Sequence, residues 1–190
     1  NIRVFRIVPS FKGLTYDIHI AYVDDTIFNI DKDPNQIMAI DLGVNNLATC
    51  VLSNNESFII DGRYLKSINH FYNKHKAHLQ SIKPNNKEYT LMEHKVTEKR
   101  NRRIKDALNK AARILINIAL EKRVSEIIIG YNKGFKSNGI KSNLPNKEKE
   151  RINQNFIQIP ISNFKQKIKE LCNRYNIIYK EINESYTSVC

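Results

Sequence analysis

The four consecutive apolar residues Ile37-Met38-Ala39-Ile40, running straight into Asp41-Leu42-Gly43, constrain this chain more than any other segment. A strand with no polar alternation is covered on both faces, which places it inside a parallel or mixed sheet. Val124 to Ile129, ending at Gly130, is a second run of the same kind. Leu47 to Leu52 and Ser57 to Ile60 follow the first run, separated by Ser53-Asn54-Asn55-Glu56, and predict a three-stranded meander. A last strand is expected from Ile177 to Ile182.

Helical spacing fills the intervals. Ile68, Phe71, His75, Leu79 and Ile82 recur three or four residues apart until Lys83-Pro84-Asn85-Asn86 interrupts them. A longer helix is expected from about Leu91 to Arg123, with Ile104, Leu108, Ala111, Leu115 and Ile118 on one face. Ile161, Phe164, Ile168, Leu171 and Tyr175 predict one more amphipathic helix. Tyr131 to Asn155 is rich in Gly, Asn and Lys and reads as a surface loop. The resulting order, β-β-β-α-β-α-β, describes an α/β mixed sheet with flanking helices.

Ahead of this unit, Ile2 to Pro9 and Leu14 to Val23 alternate around Lys12-Gly13, the pattern of a β-hairpin. The polar, proline-punctuated stretch from Asp24 to Asn35 reads as a linker. Residues 1–35 are therefore expected to form the end of a β-rich module, and residues 36–190 the main domain. The 190 residues suffice for one proper core. The chain begins at Asn1 without an initiator Met and ends at Cys190 directly after a strand-like segment, so it reads as cut at both ends.

The net charge of +12 is concentrated in runs, which points to a polyanionic partner, nucleic acid first among them. Lys95, Lys99, Arg100, Arg102, Arg103, Lys105 and Lys110 dominate the first half of the long helix and suit sequence-independent phosphate binding. A solvated helix face is the competing reading. Lys133, Lys136, Lys141, Lys147, Lys149 and Arg151 extend the basic character into the loop. Cys50, Cys172 and Cys190 are odd in number and far apart, which fits a reducing cytoplasmic setting. No apolar stretch nears the roughly 20 residues that cross a bilayer, so no membrane association is expected.

Asp41 follows an apolar strand, at the rim where open α/β sheets place their ligands, and Gly43 lets the chain turn beside it. Such an Asp is a metal ligand or merely a turn or cap residue. Phosphodiester hydrolysis needs more than one carboxylate, to hold one or two Mg²⁺ ions about 4 Å apart. The end of the second buried strand offers only Gly130, and Glu126 lies at its start, about 13 Å from the rim. Glu184 is the better partner. If the last strand lies parallel to the second buried strand, about 4.8 Å away, Glu184 reaches the space a glutamate at position 130 would have filled. The alternatives are a solvated loop glutamate, or Glu181 in its place.

Ala39-Ile40-Asp41-Leu42-Gly43-Val44-Asn45-Asn46-Leu47-Ala48-Thr49 resembles the first RuvC motif of the TnpB/OrfB proteins. Three later segments agree in order: Arg100-Asn101-Arg102-Arg103, Ile127 to Lys136, and Glu184-Ser185-Tyr186-Thr187-Ser188. The resemblance implies an RNase H-like (RuvC) fold preceded by the end of an oligonucleotide-binding wedge module. It implies a transposon-encoded, RNA-guided DNA endonuclease, related to type V CRISPR effectors, with guide RNA and DNA as partners and no small-molecule substrate. The family's catalytic set is an Asp, a Glu and a later Asp holding Mg²⁺ (or Mn²⁺). Asp41 matches the first, and Gly130 departs from the second. One branch of the family has Gly-Tyr-Asn there and a Glu before Ser-Tyr-Thr-Ser, as Gly130-Tyr131-Asn132 and Glu184 have here. The third Asp, and the zinc knuckle where the family keeps one, are expected beyond Cys190, so residues 1–190 alone are not expected to cleave.

Two other readings compete. The parent is a catalytically inactive RNA-guided DNA-binding derivative, with Gly130 the trace of the loss. Otherwise the Asp-x-Gly after an apolar strand belongs to an actin-like sugar kinase or ATPase, which predicts a Gly-rich phosphate loop and a neutral or acidic surface. The sequence has neither.

Overall fold

The computed structural model describes residues 2–24, 26–84, 89–131 and 159–183. A hairpin of β1 (Ile2–Ser10) and β2 (Thr15–Tyr22) turns through a single 3-10 turn at Phe11–Gly13, where Gly13 takes the left-handed φ of 80° that a side chain resists. The second unit comprises β3 (Asp33–Leu42), β4 (Asn46–Leu52), β5 (Ser57–Asp61), α1 (Arg63–Ser81), α2 (Leu91–Glu121), β6 (Val124–Tyr131), α3 (Ile161–Arg174) and β7 (Ile178–Asn183).

Its sheet has the order β5-β4-β3-β6-β7. The meander β3-β4-β5 is antiparallel, whereas β6 lies parallel to β3 and β7 parallel to β6. The two continuous apolar runs are adjacent at the centre of a mixed sheet, but they are not covered on both faces as their patterning predicts: Met38, Ile40, Ile127 and Ile129 are buried while Ala39 is exposed and Ile128 half-buried, because the described helices pack on one side. Parallel neighbours need a long crossover, and α3 lies between β6 and β7 in the chain.

Burial alternates over the last part of β3: Met38 and Ile40 are buried, Ala39 and Asp41 exposed. Met38 and Ile40 join Ala48, Cys50, Leu52, Ile127 and Ile129 in one core with Leu65 and Ile68 of α1, Ile104 to Ala119 of α2, and Phe164, Ile168 and Leu171 of α3. The described helices therefore cover one face of the sheet. The other face is open, and Val51, Ile59, Ile178 and Ile182 on it are each about half exposed. No described helix is long and apolar enough to cross a membrane.

Two sequence expectations shift at element level. On α1 the buried residues are Leu65, Ile68 and Asn69, while Phe71 and Ile82 are each 64% exposed. The reason is chemical: α1 meets α2 through a polar and aromatic seam, in which Asn69 accepts a hydrogen bond from Arg100 Nε at 2.8 Å and Tyr72 Oη shares one with Thr97 Oγ1 at 3.1 Å. A stripe drawn through apolar residues alone misses that contact. The stretch between β2 and β3 is also anchored, since Phe28 N–H donates to the Arg174 carbonyl at 2.8 Å, Phe28 stacks on Tyr175 and Arg123 pairs with Asp31. Strand β3 begins at Asp33, three residues before Gln36.

Candidate metal and nucleic-acid site

Strands β3, β5, β6 and β7 all run in one direction, so their carboxyl ends share a rim. Ile40 pairs with Ile129, so Asp41 stands level with Gly130, which in turn pairs with Ile182. Paired residues of a parallel ladder point to the same face. Asp41 therefore projects from the open face of the sheet beside a residue that has no side chain. It is exposed, and its carboxylate has no hydrogen bond or ion pair among the described residues.

The loop after Asp41 is held by close backbone approach. A Cβ on Gly43 would sit 2.8 Å from the Asn46 carbonyl oxygen, and one on Gly62 only 2.3 Å from that of Val44. Gly62 N–H donates to the Asn45 carbonyl at 2.8 Å, and Lys66 Nζ reaches Asn45 Oδ1 at 2.6 Å. The β5–α1 connection thus locks the β3–β4 turn in place.

The other carboxylates near these strands are engaged. Glu126 sits low on β6, opposite Ile37, and pairs with Lys180 at 2.8 Å, in keeping with the expectation that it cannot serve the rim. Glu181 lies on the helix-covered face, bonded to Lys165 at 2.6 Å and Tyr179 at 2.7 Å. Burial would raise its carboxyl, but these two partners outweigh it and hold it below the usual range. Asp61 shares the rim and the open face, but it is clamped by Arg63 at 2.6 Å, and that guanidinium lowers its carboxyl. Among the described residues no three His, Cys, Asp or Glu side chains converge on a metal position. Asp41 supplies one hard oxygen ligand of the kind Mg²⁺ takes, one of the several such a site requires. Glu184 lies outside the described residues, as do Lys133, Lys136, Lys141, Lys147, Lys149 and Arg151. The parallel pairing of β6 and β7 on which its expected role depends is present as far as Tyr131 and Asn183.

The seven basic residues predicted on the long helix divide between two faces. Lys95, Lys99, Arg102 and Arg103 line a recess of about 340 Å³ shared with Thr15, Tyr16 and Asp17 of the hairpin. Phe11 docks the hairpin there, stacked on His94 at 4.6 Å and edge-on to Tyr89 at 5.6 Å. Arg100 and Lys105 face the opposite way, into a groove of about 940 Å³ between α1, α2 and α3. Partial burial pulls the Arg100 guanidinium below its usual value, and it lies 5.6 Å from the Tyr72 ring. Lys110 lies in neither concavity and pairs with Asp106 at 2.8 Å.

Residues of the larger groove that sequence reasoning did not single out are Tyr72 and Lys76 of α1, and Asn163 and Lys167 of α3. The spacing of Tyr72 and Lys76 at i, i+4, with Asn69 and Asn73 beside them, is a faint signal of a polar helix seam. That α3 closes the groove has no local signal at all.

The fold is shared with two solved assemblies. A cryo-EM structure of a Cas12f1–sgRNA–target DNA complex is 18% identical with a TM-score of 0.63, over 85% of this chain and 31% of that one. A CRISPR–Cas12f ternary complex is 17% identical with a TM-score of 0.61, over 91% and 33%. The chain thus spans about a third of their length, and the common part is the RuvC-like, RNase H-like mixed sheet. No curated protein matches the chain. The profile of the OrfB family, described as "Probable transposase", matches residues 19–136, well over half of the sequence. With the mixed sheet, the exposed Asp41 and the basic helix in hand, the chain belongs to this OrfB family of probable transposases.

Proposed function

We propose that this chain is the RuvC-like part of a transposon-associated, RNA-guided DNA endonuclease in which Asp41 and Glu184 hold Mg²⁺ or Mn²⁺. The observation that carries the reading is Asp41, exposed and unpaired among the described residues at the carboxyl end of the central parallel strand, with Gly130 beside it. The metal supplies activation of water and stabilisation of the leaving oxygen during phosphodiester hydrolysis. The chain's own part is to hold the two carboxylates at a fixed separation and to keep the DNA strand on the open face.

Register supports Glu184 as the second ligand. Ile182 is level with Gly130 and Asp41, and if the strand period of two continues past Asn183, Glu184 would share the face of Ile182. The basic residues Lys95, Lys99, Arg100, Arg102, Arg103 and Lys105 grip RNA and DNA through phosphates, whereas Lys110, paired with Asp106, takes no part.

The test is guide-directed, Mg²⁺-dependent cleavage by the full-length parent, compared with Asp41→Ala and Glu184→Ala. Loss of cleavage in both, with RNA binding retained, is the expected result. Cleavage surviving Glu184→Ala would remove that residue from the site. Gly130 favours one alternative, a parent that binds RNA and DNA without cutting. It requires a wild type that binds its target and never cuts it at any Mg²⁺ or Mn²⁺ concentration.

A further inference from the structure

We propose that the groove between α1, α2 and α3 holds a single strand of RNA, discriminated from DNA by its 2′-hydroxyls, on the side of the sheet away from Asp41. This rests on the proposed RNA-guided function and assigns the RNA a place in it.

Position makes the first argument. The described helices cover the sheet face that carries Met38 and Ile40, whereas Asp41 projects from the opposite, open face. A strand lying in the helix groove is therefore not the strand presented to the carboxylate. A nucleic acid bound there has a different task from being cut, a task open to the RNA of the proposed function.

The second argument is chemical. Lys167 pairs with Glu170 at 3.2 Å, and Lys76, Arg100 and Lys105 also line the groove. Those cations suit phosphates but do not choose between RNA and DNA. The remaining polar lining does. Asn109 and Asn163 bring carboxamides to the groove, beside Asn101, whose oxygen accepts from Arg100, and Gln166, whose nitrogen donates to Glu170; a carboxamide carries both a donor and an acceptor, and Asn101 keeps its N–H donors and Gln166 its oxygen acceptor. The ribose 2′-hydroxyl is likewise both donor and acceptor, and it is the group by which a protein separates RNA from DNA. A groove meant only for charge would carry lysine and arginine in those places.

Shape and rigidity add a third. Ile104 and Leu108 form an apolar floor. Arg100 is fixed before any ligand arrives, by Asn69 Oδ1 at 2.8 Å and Asn101 Oδ1 at 3.0 Å. Tyr72 lies within 6 Å of both Arg100 and Lys76, which places an aromatic ring among the cations, the combination on which unpaired bases stack. The α2 segment from Arg100 to Asn109 extends for about 13 Å, enough for consecutive phosphates of one strand.

The experiment uses the full-length protein and two fluorescent oligonucleotides of one sequence, RNA and its all-deoxy counterpart, each derived from the transposon end. Wild type is compared with the groove variant Asn109→Ala/Asn163→Ala/Gln166→Ala, which leaves the Asn69 and Asn101 contacts of Arg100 in place, and with Lys99→Gln/Arg103→Gln in the hairpin recess. Circular dichroism melts confirm that each variant folds. RNA affinity is expected to fall at least about tenfold in the groove variant, two or three lost hydrogen bonds being involved. DNA affinity should stay within about twofold, and the recess variant should weaken both alike. Equal losses for RNA and DNA in the groove variant, or none for either, would overturn the RNA assignment while leaving the nuclease reading intact. A wild type that binds RNA no better than DNA overturns the assignment as well, and one that binds no RNA overturns both.

Discussion

Gly62 governs the setting of Asp41 although it never touches it. Its φ of −94° is open to any residue, so backbone freedom is not what the position requires. What it requires is space, because an added Cβ meets the Val44 carbonyl oxygen at 2.3 Å and Asn45 O and Leu47 N at 3.2 Å. All three are backbone atoms of the turn that follows Asp41, and none can swing aside. Gly62→Ala is expected to cost about 1–3 kcal/mol, the range for overpacking a tight site. Chemical denaturation of both proteins would read that loss, and an unchanged midpoint would show that the two loops are not interlocked. The buried thiols make a second residue-scale case. Burial pushes both Cys50 and Cys172 up to about 12, so neither is a thiolate near neutrality. Alkylation with iodoacetamide at pH 8, mapped by mass spectrometry, should leave both unmodified in the native protein and label both after denaturation. Native labelling of either would contradict its burial.

At the scale of elements, α2 depends on a capping box at its first turn. Thr90 Oγ1 accepts from the Glu93 backbone N–H, and the Glu93 carboxylate accepts from the Thr90 backbone N–H at 2.8 Å. Thr90→Ala is expected to cost about 1 kcal/mol. The Thr90 backbone N–H holds the Glu93 carboxyl below its usual value, assisted by the Thr90 hydroxyl and the Lys83 and Lys76 charges and opposed by burial. A depressed carboxyl contributes stability that is fully present above its unfolded value near 4.5 and is lost as pH falls through the folded value. The wild type should therefore lose more helical ellipticity than Glu93→Gln between about pH 5 and pH 3; parallel curves would remove Glu93 from the acid response. Element types and order were legible because uninterrupted apolar runs and 3.6-residue spacing are local properties. The inner face of α1 was not, because Asn69 and Tyr72 meet Arg100 and Thr97 of α2, which lie 31 and 25 residues away in sequence.

Over the whole molecule, the net charge of +12 matters through where it is placed, and here the sequence was half legible. Clustering on the first half of α2 was visible, whereas the helix serving as a ridge between two concavities was not, since one wall belongs to the hairpin and the other to α1 and α3. The position of Asp41 at the end of a central strand was legible because a strand end followed by glycine is a local pattern, whereas the parallel pairing of β6 with β7 is encoded by no local pattern. The division of charge has a measurable consequence for duplex DNA, whose condensed counterions are released as phosphates are neutralised. Lys99, Arg102 and Arg103 are exposed and share the hairpin recess. If each meets a phosphate, Lys99→Gln/Arg102→Gln/Arg103→Gln should lower the slope of log affinity against log salt by about 2 to 3 units, at about 0.9 per contact. Lys110→Gln should leave the slope unchanged, because its ammonium is already paired with Asp106 outside both concavities. The measurement is fluorescence anisotropy with a short duplex across a salt series, using the full-length protein. A triple variant that binds more weakly at every salt concentration with its slope intact would mean that these cations shape the recess instead of neutralising phosphates, and the Lys110→Gln control would then locate the phosphate contacts elsewhere on the molecule.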